Sequence, residues 1–199
     1  MTKELIQLLV WHCSATPEGR VHTSKDVFIW HLMPCDYKDG TVQYMGKRYK
    51  NRAELFKLLP NETIQGVSIH KGKGRGWRVP GYRDIILLDG SRHRLTQGDN
   101  EDQFIDPWEI TNGVAGINRY ARHAMYIGGL DKSLKPKDTR NELQLNEMRK
   151  YTWAFLQKVP TARIAGHYHF DTKACPSFDV EKWCYNIGVP EHQIYRKNK

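Results

Sequence analysis

Two histidines and one cysteine carry the strongest chemical signal in the chain. His12 lies in the segment VWHCSAT at residues 10–16, and His167 and Cys175 lie together in the segment 166–180. Imidazole and thiolate are preferred zinc ligands, and three protein ligands leave a fourth position for water, whereas closed structural sites usually use four. If His12, His167 and Cys175 converge, the sequence therefore predicts a zinc site of the hydrolytic type.

Each candidate ligand also has an ordinary structural interpretation. A lone histidine at the end of a strand is often only packed, and a free cysteine often behaves as a small hydrophobe. His169 competes with His167, because two residues further along a strand it would face the same side. It is a candidate for an alternative ligand or for a hydrogen-bond partner of a ligand. We expect Cys13, which alternates with His12, to be in the core. The remaining cysteines are expected to be structural: Cys35 and Cys184.

The predicted strands place the candidate ligands at strand ends. The apolar run from Leu5 to Trp11 is typical of a buried strand that delivers His12 at its end. Two further interior strands are predicted at 124–129 and 161–166, the second of which ends immediately before His167. A buried strand is also predicted at 85–88, and a hairpin at 41–50 with its turn at Met45-Gly46.

Helices are predicted between these strands. The clearest begins with capping-box spacing at Thr139–Glu142 and follows the helical period as far as Pro160. Shorter helices are predicted at 23–33, 51–59 and 178–187, and a polar surface loop at 97–112. Alternating strands and helices predict one α/β domain over residues 1–199, with a central mixed β-sheet flanked by helices.

Composition and charge limit the class of protein. The chain has 199 residues, of which 39% are hydrophobic, and this suits one folded domain. No apolar run is long enough to span a bilayer, and Leu5–Val10 is too short for a signal-peptide core. We therefore expect synthesis in the cytoplasm, no transmembrane segment and reduced cysteines.

The net charge of +9 favours a polyanionic partner such as nucleic acid, teichoic acid or a phosphate-bearing bacterial envelope. The glycine-rich basic run from Lys71 to Gly76 matches no phosphate-loop pattern, so we interpret it as a mobile connector. No recognised nucleic-acid motif accompanies the charge, and we expect no stable nucleic-acid complex.

Four segments in order give the chain a resemblance to a known family. They are HCSAT at 12–16, Gly81-Tyr82, YIGG at 126–129, and Gly166-His167 with KACPSFDV at 173–180. The chain resembles the zinc-dependent N-acetylmuramoyl-L-alanine amidases, the type shared by phage lysozyme-like amidases and peptidoglycan recognition proteins. These segments cover most of the chain outside residues 34–74, which look like an insertion.

The resemblance implies a site and a reaction. It implies that His12, His167 and Cys175 bind zinc and that Tyr82 and Lys173 lie beside the metal as catalytic residues. It further implies hydrolysis of the amide between N-acetylmuramic acid and L-alanine in bacterial peptidoglycan. A Lys ammonium or a Tyr hydroxyl stabilises the negative oxygen of a tetrahedral intermediate, and Tyr82 is also suited to relay a proton.

The chain departs from the family at two places. Arg83 stands where the family usually has a histidine after Gly-Tyr, so hydrogen bonding around the pocket is expected to differ. Another family histidine, before the Gly-Gly strand, has no clear equivalent, although Asn118 and His123 lie near that position.

The sequence favours a monomeric phage endolysin made in the bacterial host and released to the wall by a holin. Two alternatives stay open: a non-catalytic peptidoglycan-binding module of the same fold, against which the presence of Cys175 argues, and a nucleic-acid-binding protein. Trp77 and Trp108, both in predicted loops, are candidates for stacking on a sugar or peptide.

Overall fold

The computed structural model describes residues 3–98 and 100–197. Its strands are β1 (Glu4–Leu5), β2 (Leu8–Cys13), β3 (Thr16–Pro17), β4 (Cys35–Asp36), β5 (Val42–Tyr44), β6 (Lys47–Tyr49), β7 (Thr63–Ile64), β8 (Val67–Ser68), β9 (Asp84–Ile86), β10 (Arg92–Arg94), β11 (Phe104–Ile105), β12 (Ala121–Tyr126), β13 (Gly129–Leu130) and β14 (Arg163–Gly166). Its α-helices are α1 (Ser24–Leu32), α2 (Arg52–Leu58), α3 (Glu142–Lys158) and α4 (Val180–Asn186), and short 3₁₀ turns cover His167–His169 and Glu191–Gln193.

The main sheet has five strands in the order β10-β9-β12-β2-β14. Four of these strands run parallel: β9, β12, β2 and β14. The fifth, β10, pairs antiparallel with β9. The sheet is therefore mixed, and the predicted α/β class with a central mixed sheet flanked by helices is confirmed. Because β2 is the central partner of β12 and β14, the carboxyl ends of these three strands meet at one edge of the sheet.

The two faces of the sheet are covered differently. Leu9, Trp11 and Cys13 of β2 face the larger core, which is built with α3 and α4. Leu8 and Val10 face a smaller cluster formed with residues of the segment 114–121. Since side chains alternate along a strand, His12 lies on the face with the smaller cluster.

Helix α3 covers the larger core with one apolar side. Met148, Tyr151, Phe155 and Leu156 are buried at helical spacing, as the sequence predicts. The predicted start of the helix was wrong by two residues. Asn141 caps the helix by accepting from the Gln144 N–H, so the Thr139–Glu142 spacing is not the capping box. Asparagine is as good an N-cap as threonine, and the pattern alone does not choose between them.

Two compact units are distinguished within the chain. One comprises the residues up to His22 and from Tyr82 onward, and it contains the main sheet with α3 and α4. The other, Thr23–Gly81, contains α1, α2, the antiparallel sheet β4-β5-β6 and the β7-β8 pair. The predicted insertion at 34–74 falls within this second unit. The second unit has its own core, built from Met33, Val42, Tyr44, Leu55 and Ile69.

The basic segment predicted to be a mobile connector is instead held at the carboxyl end of α1. The N–H groups of Gly74, Arg75, Gly76 and Trp77 donate to carbonyls of the segment 30–34 at 2.7–3.0 Å. The last carbonyls of a helix have no partner within the helix, so an adjoining extended segment satisfies them. The prediction was wrong because glycine content was interpreted as mobility, whereas these glycines allow close backbone approach.

Stability of the second unit is expected to fall below neutral pH because of His31. Its ring is stacked on Trp77, and burial, aided by the Arg75 charge, lowers the pKa of His31 to about 4. The unfolded chain takes up this proton near pH 6.5 and the folded chain only near pH 4, so stability present above pH 6.5 is lost progressively between these values. Denaturant unfolding at pH 7 and pH 5 should show the loss, at about 1.4 kcal/mol per pH unit for this group. The variant His31→Asn should flatten the dependence, and an unchanged slope would contradict the assignment.

Candidate metal centre

Three donor side chains converge at the carboxyl edge of the main sheet. His12 is the fifth residue of β2, and His167 follows β14 directly, with Gly166 paired to Trp11 across the two parallel strands. Cys175 lies on the loop before α4, and its carbonyl accepts from the Tyr168 N–H at 2.9 Å. One donor atom from each of the three side chains lies within 4.8 Å of the others.

The spacing of the donors suits one small metal ion. The Nδ1 atom of His12 lies 3.7 Å from the Cys175 Sγ. For tetrahedral zinc, with bonds of about 2.3 Å to sulfur and about 2.0 Å to nitrogen, the expected separation of the two donors is about 3.5 Å. The Cys13 side chain and burial raise the pKa of the Cys175 thiol, and the backbone N–H of Cys13, which donates to the Cys175 Sγ at 3.3 Å, offsets part of this increase. The cluster is therefore compatible with a metal site.

The second nitrogen of His12 contacts another histidine. His12 Nε2 lies 3.0 Å from Nδ1 of His123, which is fully buried on β12. Burial, with a smaller contribution from the nearby His167, lowers the pKa of His123 to about 3. His123 is therefore neutral in the folded protein. Asn118, the other residue considered for this position, accepts from the Val114 N–H instead and contributes to a turn.

His167 and Lys173 share one carboxylate. Nε2 of His167 lies 3.6 Å from Oδ2 of Asp171, and Nζ of Lys173 lies 2.7 Å from the same oxygen. Burial, reinforced by the charge of Lys173, lowers the pKa of His167, which favours the neutral imidazole that binds metals. The Lys173 side chain is 64% exposed. Asp171 therefore keeps the Lys173 ammonium near the cluster. A substrate must displace this ion pair to reach the ammonium.

Tyr82 lies against the cluster, and its neighbour Arg83 does not. The Tyr82 ring is 4.9 Å from the His12 ring between centroids. Arg83 extends to the opposite side of the sheet, where it donates to Asp84 at 2.5 Å and contacts the Tyr151 hydroxyl on α3 at 3.4 Å. Replacing the family histidine by Arg83 therefore builds a buried polar network on the α3 side of the sheet.

His169 does not take part in the cluster. Its Nε2 lies 3.2 Å from Oε1 of Glu181, and its Nδ1 lies 3.1 Å from the Gly166 carbonyl oxygen. The expectation that it faces the same side as His167 was wrong, because residues 167–169 form a 3₁₀ turn in which side chains do not alternate as in a strand.

The remaining candidates from the sequence lie elsewhere. Cys13 is buried in the larger core, as predicted, and Cys184 is buried beside it. All four cysteines are free thiols. Trp108 is 59% exposed and its indole N–H donates to the Gly98 carbonyl, whereas Trp77 is half-buried in the second unit.

Comparison with known proteins adds sequence relatives and a fold. No family model matches the chain. The endolysins of Enterobacteria phage K11 and Escherichia phage T7 are each 28% identical over 111 residues, which are 56% of this chain and 68% of each relative.

Solved structures match over nearly the whole chain. The N-acetylmuramoyl-L-alanine amidase LysC from Clostridium intestinale URNW has a TM-score of 0.53 at 12% identity, covering 96% of this chain and 92% of LysC. Drosophila PGRP-LB (96% and 88% covered) and the Ph2119 endolysin from the Thermus scotoductus MAT2119 bacteriophage Ph2119 (94% and 88%) each have a TM-score of 0.54 at 14% identity. The predicted resemblance is confirmed. The chain has the fold of the amidases and peptidoglycan recognition proteins, and the candidate metal cluster lies at the sheet edge of this amidase-like fold.

Proposed function

We propose that this protein is a phage endolysin that hydrolyses the amide between N-acetylmuramic acid and L-alanine in peptidoglycan, with zinc bound by His12, His167 and Cys175. The observation that carries the proposal is the convergence of two imidazoles and one thiolate within 4.8 Å at a single sheet edge. The endolysin relatives and the amidase-like fold support peptidoglycan as the substrate class.

The donor set fits zinc and a hydrolytic role. Bound zinc would polarise the scissile carbonyl and acidify a water molecule to a pKa near 7. Within the described ranges the cluster has three protein donors, the number typical of catalytic zinc. The lowered pKa of His167 favours its ligating form, and the Cys13 N–H that donates to Cys175 would stabilise the thiolate that a metal ion requires.

Tyr82 and Lys173 have the chemistry to stabilise the transition state. Tyr82 lies against His12, where its hydroxyl is suited to donate to the oxygen that becomes negative as the carbonyl is attacked. Lys173 is tethered two residues before Cys175, and its ammonium supplies positive charge once substrate takes it from Asp171. Of the two, Tyr82 packs directly against a candidate ligand, so we expect its hydroxyl to be the more important group.

The biological setting is part of the same proposal. The protein acts as a monomer on the bacterial wall, after synthesis in the host cytoplasm and release by a holin. Residues 1–199 form one amidase domain in which 34–74 is an insertion. Within the described residues, no helix is both long and apolar enough to cross a membrane.

The bond cleaved identifies the activity. Purified peptidoglycan is digested with the full chain, and the new ends are identified by mass spectrometry, with chelator and with zinc restored. We expect free L-alanine amino ends and intact glycan strands, lost with chelator and regained with zinc. Wall binding without new ends would instead favour the non-catalytic recognition module, and new reducing sugar ends would mean that a glycosidic bond is the target.

A further inference from the structure

The second unit carries most of the protein's net positive charge. Thr23–Gly81 contains eleven Lys and Arg residues against five Asp and Glu, which gives this unit +6 of the chain's net +9. The proposed peptidoglycan chemistry uses none of these residues. Exposed cations are concentrated on the segment 71–78 and on the adjoining hairpin β5-β6, and we call these the basic platform: Lys47, Lys50, Lys71, Lys73, Arg75 and Arg78.

The basic platform is held on a fixed backbone. Hydrogen bonds join the Gly74–Trp77 N–H groups to carbonyls of the segment 30–34, and the Gly46 N–H donates to the Gly76 carbonyl at 3.0 Å. A Cβ atom at Gly74 would lie 2.6 Å from the Ile29 oxygen, and one at Gly76 would lie 2.2 Å from the Gln43 oxygen. The glycines therefore let the backbone lie against α1 and β5, while the intervening cations stay exposed, Lys73 within 3.1 Å of the Asp36 carboxylate.

The surroundings of the basic platform favour a lipid surface over nucleic acid. Two rings that could stack on bases already have a stacking partner on one face, since Arg48 lies 3.6 Å over the Tyr37 ring and Trp77 is stacked on His31. The apolar side chain of Met45 is 38% exposed at the hairpin turn, beside Gly46. An apolar tip among cations suits an anionic headgroup layer, where the tip enters the interface and the cations meet phosphates.

We propose that the basic platform docks the protein on an anionic phospholipid surface. Each Lys or Arg near such a surface contributes to binding, and a cluster of four to eight is enough for peripheral attachment. The basic platform and the metal cluster share no residue, so we expect this attachment to concentrate the protein at a membrane without altering the amide chemistry.

Vesicle sedimentation with the full chain tests the basic platform. The probes are vesicles of phosphatidylglycerol and phosphatidylcholine in equal parts, and vesicles of phosphatidylcholine alone. The charge-reversal variant K71E/K73E/R75E is compared with K132E/K135E/K150E, which makes the same change in net charge at exposed positions of the other unit. We expect the first to bind anionic vesicles at least about 100-fold more weakly than wild type, and the second to lose far less.

Three outcomes would overturn the docking proposal. Equal losses in the two variants would mean that diffuse charge is responsible, and equal binding to neutral vesicles would remove the role of lipid charge. Binding to random duplex DNA or to polyphosphate at concentrations that leave vesicles unbound would show that the partner is a different polyanion. Circular dichroism of both variants verifies folding, and a Met45→Ser variant, which leaves the charge intact, tests the apolar tip separately.

A second, independent observation concerns His123. The ring is fully buried, its Nδ1 lies 3.0 Å from His12 Nε2, and its own Nε2 has no hydrogen-bond partner among the described residues. Gly113 makes room for it, because a Cβ there would lie 2.2 Å from the ring. Burying an imidazole with one unsatisfied nitrogen costs free energy of folding. The contact with His12 must therefore offset that cost, or the ring is retained for a role other than stability.

The geometry points to His123 as the positioning residue of the metal ligand His12. If His123 Nδ1 accepts a hydrogen bond from the protonated Nε2 of His12, then His12 Nδ1, the atom that faces Cys175, carries the lone pair that a metal requires. The unpartnered Nε2 of His123 then carries that ring's own proton. This inference rests on the proposed metal site, and it assigns the residue that selects the ligating tautomer.

Zinc affinity and the tautomer of His12 test the positioning role. Competition with a chromophoric chelator is measured for wild type, His123→Leu and His123→Asn, two variants of nearly equal shape of which only Asn keeps an acceptor. We expect about 10- to 100-fold weaker zinc binding for Leu and partial recovery for Asn. Failure of the wild type to bind zinc would refute the proposed site itself, whereas equal affinity of wild type and Leu would refute only the role of His123.

Nitrogen-15 NMR of the metal-free wild type should show the His12 proton on Nε2, and a proton on Nδ1 would contradict the inference even if the variants do not fold.

Discussion

Replacing Cys175 by serine is expected to abolish zinc binding and amide hydrolysis while leaving the fold intact. Serine keeps the size of the side chain and an acceptor for the Cys13 N–H, which donates to the sulfur in the native protein. It removes the thiolate, whose loss should weaken zinc by more than the roughly 10- to 100-fold typical of an outer-shell partner. Metal content is measured by atomic emission, and hydrolysis by released L-alanine ends.

Cys35→Ser is the matched control for this result. Cys35 is a half-buried thiol on β4 of the second unit, so the same chemical change there should leave zinc content and hydrolysis at wild-type levels. A Cys175→Ser protein that keeps stoichiometric zinc would show that Cys175 is not a ligand. Full hydrolysis by a zinc-free Cys175→Ser protein would show that the metal is not needed.

Replacing Tyr82 by phenylalanine is expected to lower kcat by about 10²- to 10³-fold, the range for loss of one donor to a developing oxyanion. The ring contact with His12 is retained, so zinc content and thermal stability should stay close to those of wild type. Turnover of a muropeptide and metal content are measured on the same preparation. A loss of zinc in parallel with activity would mean that Tyr82 supports the ligands and is not a catalytic group.

Tyr120→Phe provides the comparison for Tyr82→Phe. Tyr120 is a half-buried ring packed on the smaller core cluster, and it has no role in the proposed reaction. Its variant should retain wild-type turnover. If Tyr82→Phe also retains turnover to within about threefold, the hydroxyl is not the group that stabilises the transition state, and Lys173 becomes the leading candidate.

The candidate metal cluster could be predicted from the sequence because its members belong to local patterns. An apolar run ending in His12 and a second strand ending just before His167 require only that the two strands be parallel neighbours, as they are. Cys175 follows on a short loop whose length limits how far it can lie from His167. These constraints are local, so the residues could be brought together without knowledge of the whole topology.

Other features depended on contacts that local patterns do not encode. The partnership of His123 with His12 requires the pairing of β12 with β2 and a glycine at position 113. The fixed backbone of the segment 71–78 depends on carbonyls of α1, about forty residues earlier. The orientation of the His169 side chain depends on a 3₁₀ turn, at a place where the sequence pattern favoured a continuing strand.

Arg83 shows where a departure from the pattern of the resembled family takes effect in the fold. The sequence suggested altered hydrogen bonding around the candidate site. Arg83 and Tyr82 are consecutive residues that extend to opposite sides of the sheet, and the guanidinium contacts Asp84 and Tyr151. The effect of the departure therefore falls on the packing of α3, and Arg83 gives no reason to doubt the ligand set.

Zinc titration of the metal-free protein, with occupancy and amide cleavage measured in the same samples, tests the central claim most directly. The account predicts that cleavage of the muramoyl–L-alanine bond rises in proportion to bound zinc and reaches its plateau at one ion per chain. Cleavage at full rate without zinc, or full zinc occupancy without cleavage, would contradict it.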